Sequence, residues 1–310
     1  MEASCLYYLH ALSPVHMGIG SAVGAIDLPH SREVSTGLPN APGSGLKGVL
    51  RDSLRSTVAN HSVLFGAERG QQDGRDQGAL LFSDALLLCL AVKSFAGTFA
   101  WVTSPLALAR FGRERAAMGQ QHPGIPEPRT DQPEMPGNVQ DDWACVTRGS
   151  RLTLQNTLYL HDITLKVLDD SQTCVDAWSA LIGSEVFPSR EDAPFLQLFK
   201  NRFVVVSDNA LAYLGDVSMD IRTRNALDKN KMVRDGAVWT EENLPSETIL
   251  WGTLAAETIQ TTEHKVHRAD DSLKAFARSC GELKKIQIGG KASVGRGVTR
   301  FVLRTQIGNE

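Results

Sequence analysis

Residues 42–51 read Pro-Gly-Ser-Gly-Leu-Lys-Gly-Val-Leu-Arg, a glycine-rich turn that leads into apolar residues at helical spacing. The leucines fall on one face of a helix, whereas Lys47 and Arg51 fall on another. This pattern predicts an amphipathic helix that packs on a core. Residues 6–13, further upstream, are typical of a strand, so strand, glycine loop and helix follow one another.

Apolar and alternating stretches in the rest of the chain predict further strands and helices. Strands are predicted at residues 79–92, 202–206, 249–256, 285–288 and 298–307, and helices at residues 105–111, 208–214 and 269–279. Two short segments, 221–228 and 236–242, flank a basic turn and predict a projecting β-hairpin. Five prolines between residues 118 and 138 indicate an insertion or a mobile loop.

The organisation of the chain is predicted to be a single α+β domain over residues 1–310. A length of 310 residues allows a large core, but length alone does not distinguish one elaborated domain from two. No sequence repeat or linker divides the chain. We therefore expect one body with a variable proline-rich insertion at about residues 113–150 and the hairpin at about residues 219–243.

The composition restricts the class of protein. Hydrophobic residues make up 42% of the chain and charged residues 22%, values that exclude a largely disordered protein. The formal net charge of −3 argues mildly against a free-standing nucleic-acid binder. The five cysteines are scattered without a CxxC pair, which indicates reduced packing residues. Because neither a basic leader nor a long apolar run is present, we expect a cytoplasmic protein without a membrane partner.

Two glycine-rich turns carry cations and are candidates for phosphate binding. The C-terminal turn, residues 288–297, contains four glycines and two cations between predicted strands. Glycines let a backbone approach a phosphate, and the N-terminus of the helix after Pro42 would attract one. A flexible hairpin turn and a solvated helix entry explain the same residues, but the two turns together favour RNA binding. The predicted RNA contacts are Gly43, Ser44, Lys47, Arg51, Gly289, Gly290, Lys291, Gly295, Arg296 and Gly297.

A polar loop after the first strand contains His16, Asp27, His30, Arg32 and Glu33. These residue types suit an acid–base or metal site. Solvation of a surface loop explains them as well, and an aspartate before Leu-Pro is common at the start of a turn. The residue types alone leave both interpretations open.

The ordered series of motifs resembles the RAMP superfamily and, within it, the repeating backbone subunit, numbered fourth, of the type III-B CRISPR effector called the Cmr complex. The resemblance is carried by LSPVHMGIG at 12–20, IDLP at 26–29, TGLP at 36–39, PGSGLKGVLR at 42–51, LFG at 64–66, FSDA at 82–85, FAWVTSP at 99–105, VVSD at 205–208, GAVWTEENLP at 236–245 and the segment 287–297. Each glycine loop is unspecific by itself. The series extends over nearly the whole chain in order.

This resemblance implies a fold and a set of partners. The fold is a modified ferredoxin-like, RRM-type palm with a projecting thumb hairpin and a variable loop or helical region. Copies of the subunit would stack in a helical filament along guide RNA (crRNA), and each thumb would push between guide and target bases. Complementary target RNA and the other Cmr subunits are the remaining implied partners. The near-neutral charge fits, because stacking assembles many local phosphate sites into one groove.

The resemblance also implies a cleavage site. In the family, the aspartate of the first glycine-rich loop is required for cleavage of target RNA, and Asp27 stands at the matching position. An aspartate with an ordinary pKa of about 3.9 is a poor base at neutral pH, so we expect Asp27 to hold a divalent cation, Mg²⁺ or Mn²⁺. His16 would orient the phosphate or assist proton transfer. Glu241 or Glu242 would complete the site.

Three alternative functions are considered beside a guide-binding subunit that cleaves target RNA. The first is a structural guide-binding subunit in which Asp27 is only a turn residue, and the presence of this aspartate argues against it. The second is a guide-processing ribonuclease that uses histidines without metal, and the match to filament subunits opposes it. The third is the equivalent subunit of a Csm complex, which the neighbouring genes would distinguish.

Overall fold

The computed structural model describes residues 3–21, 25–58, 60–67, 78–126, 143–168, 171–260, 265–281 and 283–305. The strands are β1 (Ala3–Ala11), β2 (Asn40–Ala41), β3 (Leu80–Phe82), β4 (Ala85–Lys93), β5 (Phe99–Thr103), β6 (Trp143–Val146), β7 (Thr153–Leu154), β8 (Thr157–Leu160), β9 (Ile163–Val167), β10 (Phe203–Val206), β11 (Asp220–Leu227), β12 (Val233–Asn243), β13 (Ile249–Ala256), β14 (Ile259–Gln260), β15 (Val266–His267), β16 (Leu283–Gln287) and β17 (Val298–Arg304). The α-helices are α1 (Gly43–Ser53), α2 (His61–Phe65), α3 (Pro105–Ala117), α4 (Gln172–Val186), α5 (Ala193–Lys200), α6 (Asp208–Val217) and α7 (Ala269–Cys280). Every strand and helix predicted from the sequence has a counterpart among them.

The centre of the large sheet has ferredoxin-like topology. Four strands lie side by side in the order β17, β1, β13, β4, and each neighbouring pair is antiparallel. Along the chain they follow the order β1, α1, β4, β13, α7, β17. This is a split β-α-β arrangement, in which each helix connects strands separated by one antiparallel strand. The structure confirms the predicted α+β fold and the ferredoxin-like palm.

Both faces of the central sheet are buried. Tyr7 of β1 belongs to a core cluster that contains residues of α1 and α7, whereas the adjacent Tyr8 belongs to a second cluster with residues of α3, α4 and α5. Strands that are covered on both faces read as continuous apolar runs rather than as alternating patterns. The buried aromatic residues Trp178 and Phe301 represent the two clusters, and burial of each contributes roughly 1.5–3 kcal/mol.

Residues 220–243 form the predicted hairpin, which we call the thumb. Strands β11 and β12 pair with each other as a separate two-stranded sheet. Strand β12 begins at Val233, three residues before the start predicted from the sequence, so the turn is confined to residues 228–232. The thumb exposes apolar side chains, among them Ile221, Met232 and Val238. Such a hairpin contributes little to the core.

Helix starts follow the local chemistry of the sequence. The Ser104 hydroxyl accepts a hydrogen bond from the Ala107 N–H at the start of α3, and Ser207 caps α6 in the same way. By contrast, the sequence did not predict α4, which contains threonine, valine, isoleucine and glycine. These residues lower helix propensity, so packing on the sheet stabilises this helix. Over the described part of the chain, no helix combines the length and the apolar composition that a bilayer crossing requires.

The predicted insertion at residues 113–150 is narrower than expected. Residues 113–117 continue α3, and residues 143–146 form β6 of the large sheet. Ala144, Cys145 and Val146 are buried in the core, and the buried Arg115 of α3 pairs with Glu185 of α4. Both ends of the segment therefore belong to the folded body. The proline-rich residues 127–142 lie outside the described residues.

Candidate active site

Three segments that are far apart in the sequence converge at the base of the thumb. The polar loop after β1 forms isolated β-bridges with the thumb through Val15–Leu244 and Leu28–Glu241. A third bridge, His16–Gly290, joins the loop to the C-terminal glycine turn. The structure therefore brings the loop of Asp27, the thumb base and the C-terminal turn into one site, although the loop precedes the other two segments by more than 200 residues.

The Asp27 side chain is exposed, and Thr240 of the thumb binds it. Its Oδ2 accepts hydrogen bonds from the Thr240 backbone N–H at 2.7 Å and from the Thr240 hydroxyl at 2.9 Å. The Thr240 N–H, followed by its hydroxyl, lowers the pKa of the Asp27 carboxyl below its ordinary value. The carboxylate is therefore ionised at neutral pH and is a weak base, so its negative charge is what it contributes to the site.

His16 is buried, and the base of the thumb sets the orientation of its ring. The His16 Nδ1 lies 2.8 Å from the Glu242 carbonyl oxygen. Because a carbonyl oxygen only accepts, Nδ1 carries the proton in the neutral ring and Nε2 is left as an acceptor. A Cβ at Gly18 would lie 2.6 Å from Nε2, so only glycine leaves room for this ring. Nε2 of His16 is thus the atom available for proton transfer.

Both glutamates at the base of the thumb are buried and paired with arginines. The Glu242 Oε1 lies 2.6 Å from Arg32 Nη2, and its Oε2 accepts the His30 backbone N–H at 2.9 Å. The Glu241 Oε1 accepts from Arg224 Nε at 2.9 Å and lies 3.7 Å from Arg296 Nε. Glu241 and Glu242 are 1% and 3% exposed, respectively. These contacts favour a positioning role for both glutamates over direct participation in the chemistry.

The donor set can be compared with the requirements of a divalent cation. Among the described residues, no group of three or more His, Cys, Asp and Glu side chains has the arrangement of a metal site. Mg²⁺ is commonly bound by one or two protein carboxylates, with substrate phosphates and water as the other ligands. Asp27 fits this pattern as a single protein ligand, because Thr240 binds only its Oδ2 and the side chain is exposed.

The two glycine turns predicted to bind RNA both approach the side chain of Met17. A Cβ at Gly45 would lie 3.3 Å from the Met17 Cε, and one at Gly289 would lie 2.9 Å from the Met17 sulfur. Gly289 also has a φ of +73°, and its Cβ would lie 2.3 Å from the His16 carbonyl oxygen. Glycine is therefore required at this position by the fold itself, which is a structural reason that is independent of RNA.

Three of the four predicted RNA-binding cations make contacts within the chain. Lys47 Nζ donates to the Leu80 carbonyl oxygen at 2.8 Å, and burial lowers the pKa of this amine. Arg51 binds the carbonyls of residues 66 and 67, and Arg296 is buried near Glu241. The fourth, Lys291, lies on the exposed turn with its Nζ 5.8 Å from the centre of the Trp239 ring. Its side chain has no acidic or carbonyl partner within the part of the chain that the structure describes. Of the other predicted contacts, Ser44, Gly289, Gly290 and Gly295 are exposed, and Gly43 and Gly297 are buried.

Sequence reasoning missed Thr240 and Arg224 and did not pair Arg32 with Glu242. Threonine and arginine are ordinary residues of an exposed β-strand, so neither had a distinctive local signal. The only sequence signal for these roles was the alternation of side chains along β12. Because successive side chains of a strand point to opposite faces, the side chains of Glu241 and Thr240 are expected to lie on opposite faces of β12.

The buried histidine His30 makes stability dependent on pH. Its Nδ1 accepts the Met17 N–H at 3.2 Å, and burial, with the nearby charges of His16 and Arg32, lowers its pKa from an ordinary 6.5 to about 3. The unfolded chain binds a proton below pH 6.5, whereas the folded chain does so only near pH 3. The free energy of unfolding should therefore fall by up to about 1.4 kcal/mol per pH unit from this group as the pH drops through that window.

Urea denaturation at several pH values between 7 and 4 would measure this dependence. A His30→Asn variant keeps an acceptor for the Met17 N–H but does not titrate. Its stability should change less steeply with pH than that of the wild-type protein, by about the slope of one proton. Parallel pH profiles of the two proteins would show that His30 is not the group responsible.

Sequence comparison assigns the class of protein. A match to the RAMP superfamily covers residues 8–300, so the chain belongs to the RAMP superfamily. It is 27% identical over 312 residues to the CRISPR system Cmr endoribonuclease Cmr4 of Pyrococcus furiosus, covering 97% of this chain and 96% of the relative. The resemblance to the Cmr backbone subunit that the motifs indicated is thereby confirmed.

Structural comparison gives the same result. The oligomeric Cmr4 of Pyrococcus furiosus, solved by crystallography, superposes with a TM-score of 0.68 at 25% identity, covering 97% of each chain. A chain of the type III-B Cmr-beta complex bound to cognate target RNA, solved by cryo-EM, has a TM-score of 0.67 at 17% identity, again over 97% of each chain. At 17% identity the second comparison shows a shared fold.

Proposed function

We propose that this chain is a guide-RNA (crRNA)-binding backbone subunit of a type III-B Cmr complex that also cleaves complementary target RNA. The observation that carries the proposal is the exposed Asp27 carboxylate, which Thr240 fixes to the base of the thumb, the same base that holds His16 through Glu242. The chain is also similar over 97% of its length to a protein named as a Cmr endoribonuclease, which supports RNA cleavage as its activity. Complementary RNA, crRNA, the other Cmr subunits and further copies of this chain are the proposed partners.

The shape of the palm determines where RNA can bind. An open RRM sheet presents aromatic residues on which bases stack. Here the corresponding face is covered by α3, α4 and α5, and Tyr8 and Trp251 are 0% and 2% exposed. This burial supports a path for RNA along the loops at the base of the thumb instead. The exposed turn around Lys291 and the N-terminus of α1 lie along that path.

The thumb is suited to separate bases of a guide–target duplex. Its exposed apolar side chains, Ile221, Met232 and Val238, offer a surface on which an unstacked base can rest. The base of the thumb carries Thr240, which binds Asp27. A target strand bent by the thumb would consequently have its backbone near the carboxylate.

The proposed cleavage uses the ribose 2′-hydroxyl as the nucleophile. This oxygen must lose its proton and attack the adjacent phosphorus in line, which breaks the bond from phosphorus to the 5′-oxygen of the next nucleotide. Negative charge develops on the phosphate and on that leaving oxygen, which takes a proton from water, so the products are a 2′,3′-cyclic phosphate and a 5′-hydroxyl. Asp27 would hold a divalent cation, Mg²⁺ or Mn²⁺, that stabilises this charge when bound. His16 Nε2 is the acceptor that can take the proton or orient the phosphate. Glu242 fixes the His16 ring through its backbone carbonyl.

Mapping of the cut positions tests the proposed function. Assembled complex is mixed with complementary RNA in the presence and absence of EDTA, and the products are mapped at nucleotide resolution. We expect regularly spaced cuts, one for each stacked copy, that disappear with the chelator and return when Mg²⁺ is added in excess. Cuts that survive chelation would contradict the metal dependence, and cuts confined to repeat RNA would indicate a guide-processing enzyme instead.

A further inference from the structure

Thr240 and Asp27 form a closed set of hydrogen bonds. The Asp27 backbone N–H donates to Thr240 Oγ1 at 3.0 Å, and the hydroxyl in turn donates to Asp27 Oδ2 at 2.9 Å. The Thr240 backbone N–H donates to the same Oδ2 at 2.7 Å. A single residue therefore supplies two donors to one carboxylate oxygen and accepts the N–H of the aspartate itself.

Backbone pairing extends this contact on both sides. The Leu28 N–H donates to the Thr240 carbonyl at 3.0 Å, and the Glu242 N–H donates to the Leu28 carbonyl at 3.0 Å. The loop of Asp27 thus pairs with β12 as a short parallel bridge. The hydrogen-bond partner of the Asp27 carboxylate is therefore a thumb residue. The position of the carboxylate consequently depends on the position of the thumb base.

The orientation leaves one oxygen of the carboxylate for RNA or a cation. Both Thr240 donors are directed at Oδ2, and Asp27 is exposed to solvent. Thr240 itself would not contact the reacting atoms, because its hydroxyl both donates a hydrogen bond to Asp27 and accepts one from it. Two charge-assisted hydrogen bonds to the same oxygen favour one rotamer of this exposed aspartate over the others.

We propose that Thr240 is the positioning residue of the Asp27 carboxylate, a role that rests on the proposed function. In-line attack tolerates little displacement, and an error of about 1 Å can lower a rate by about 10²-fold. By fixing Oδ2 on the thumb strand, Thr240 places Oδ1 at the point where the bent target strand passes. The thumb thereby sets the geometry of cleavage as well as the separation of bases.

Two variants of Thr240 test the role of the hydroxyl. Thr240→Val keeps the shape and the β-branched side chain but removes the hydroxyl, whereas Thr240→Ser keeps the hydroxyl. In assembled complexes, we expect the valine variant to lose about 10- to 100-fold in the single-turnover cleavage rate with unchanged affinity for target RNA. The serine variant should cleave within about threefold of the wild-type rate.

A second measurement is independent of activity. Thr240 Oγ1 is the acceptor of the Asp27 amide, so its removal exposes that N–H. Hydrogen–deuterium exchange at Asp27 should become about 2- to 10-fold faster in Thr240→Val and stay unchanged in Thr240→Ser. Exchange in the paired strand β11 should be the same in all three proteins, because the thumb pairing is retained.

A double variant separates failure of this proposal from failure of the proposed function. If Thr240 acts through Asp27, Thr240→Val should add no further loss of cleavage to Asp27→Asn. Wild-type cleavage by Thr240→Val beside an inactive Asp27→Asn would overturn the role of Thr240 and leave the proposed function in place. If the valine and serine variants lost cleavage equally and also bound target RNA more weakly, Thr240 would have only a structural role. That result would overturn the positioning role as well. An active Asp27→Asn would overturn both.

Discussion

Replacement of Asp27 by asparagine is expected to lower target RNA cleavage about 10²- to 10⁴-fold, with folding, assembly and target binding retained. Asparagine keeps the size of the side chain, and its Oδ1 can still accept from the N–H and hydroxyl of Thr240. The change therefore removes the negative charge and little else. Single-turnover cleavage and target affinity are measured on the same preparation of assembled complex.

An exposed aspartate of α7 provides the matched control. Asp271→Asn makes the same chemical change in the first turn of that helix, away from the thumb contacts. It should cleave at the wild-type rate. If Asp27→Asn also cleaves at that rate, the catalytic assignment is wrong and the subunit is a scaffold for an activity located elsewhere.

Replacement of Glu241 by alanine is expected to lower the free energy of unfolding by about 3–5 kcal/mol. Glu241 is 1% exposed and compensates the charge of Arg296, which is itself buried, as well as that of Arg224. Without the carboxylate, a guanidinium remains buried without a counter-charge. Urea denaturation monitored by tryptophan fluorescence would measure the loss.

The stability measurement also decides between two roles of Glu241. A metal ligand could be removed with a loss of cleavage and little loss of stability, because the cation would take another ligand from water. A positioning residue of the thumb base would instead destabilise the fold. Glu257→Ala, a change at an exposed glutamate after β13, should leave stability within about 0.5 kcal/mol of wild type. Unaltered stability in Glu241→Ala would instead support a direct part for Glu241 in the cleavage site, where the sequence resemblance had placed Glu241 or Glu242.

The sequence predicted the thumb, the palm and the polar loop of Asp27 because each depends on a pattern of neighbouring residues. The apolar run at residues 85–92 predicted a buried strand, and the glycine turn before Leu46 predicted a helix start. Asp27 became a candidate through the resemblance of its loop to a family in which that position is required. The residue types of the loop alone did not distinguish a catalytic site from a solvated turn.

The roles of the charged residues were not readable in this way. Lys47 and Arg296 stand beside glycines, as phosphate-binding cations do, yet the fold directs them to the Leu80 carbonyl and to Glu241. Whether a lysine faces solvent or a carbonyl depends on which strand lies next to its helix. That neighbour is set by sheet order, which local spacing does not encode.

The sequence by itself determined the fold class, the thumb and the family, because apolar periodicity, turn residues and ordered motifs are properties of neighbouring residues. Tertiary structure decided that Thr240 holds Asp27, that Glu242 orients His16 and that both glutamates face arginines. These contacts join residues more than 200 positions apart, except for the Arg224–Glu241 pair. They depend on strand register and on which face of β12 each side chain occupies, and a shift of one residue would exchange those faces.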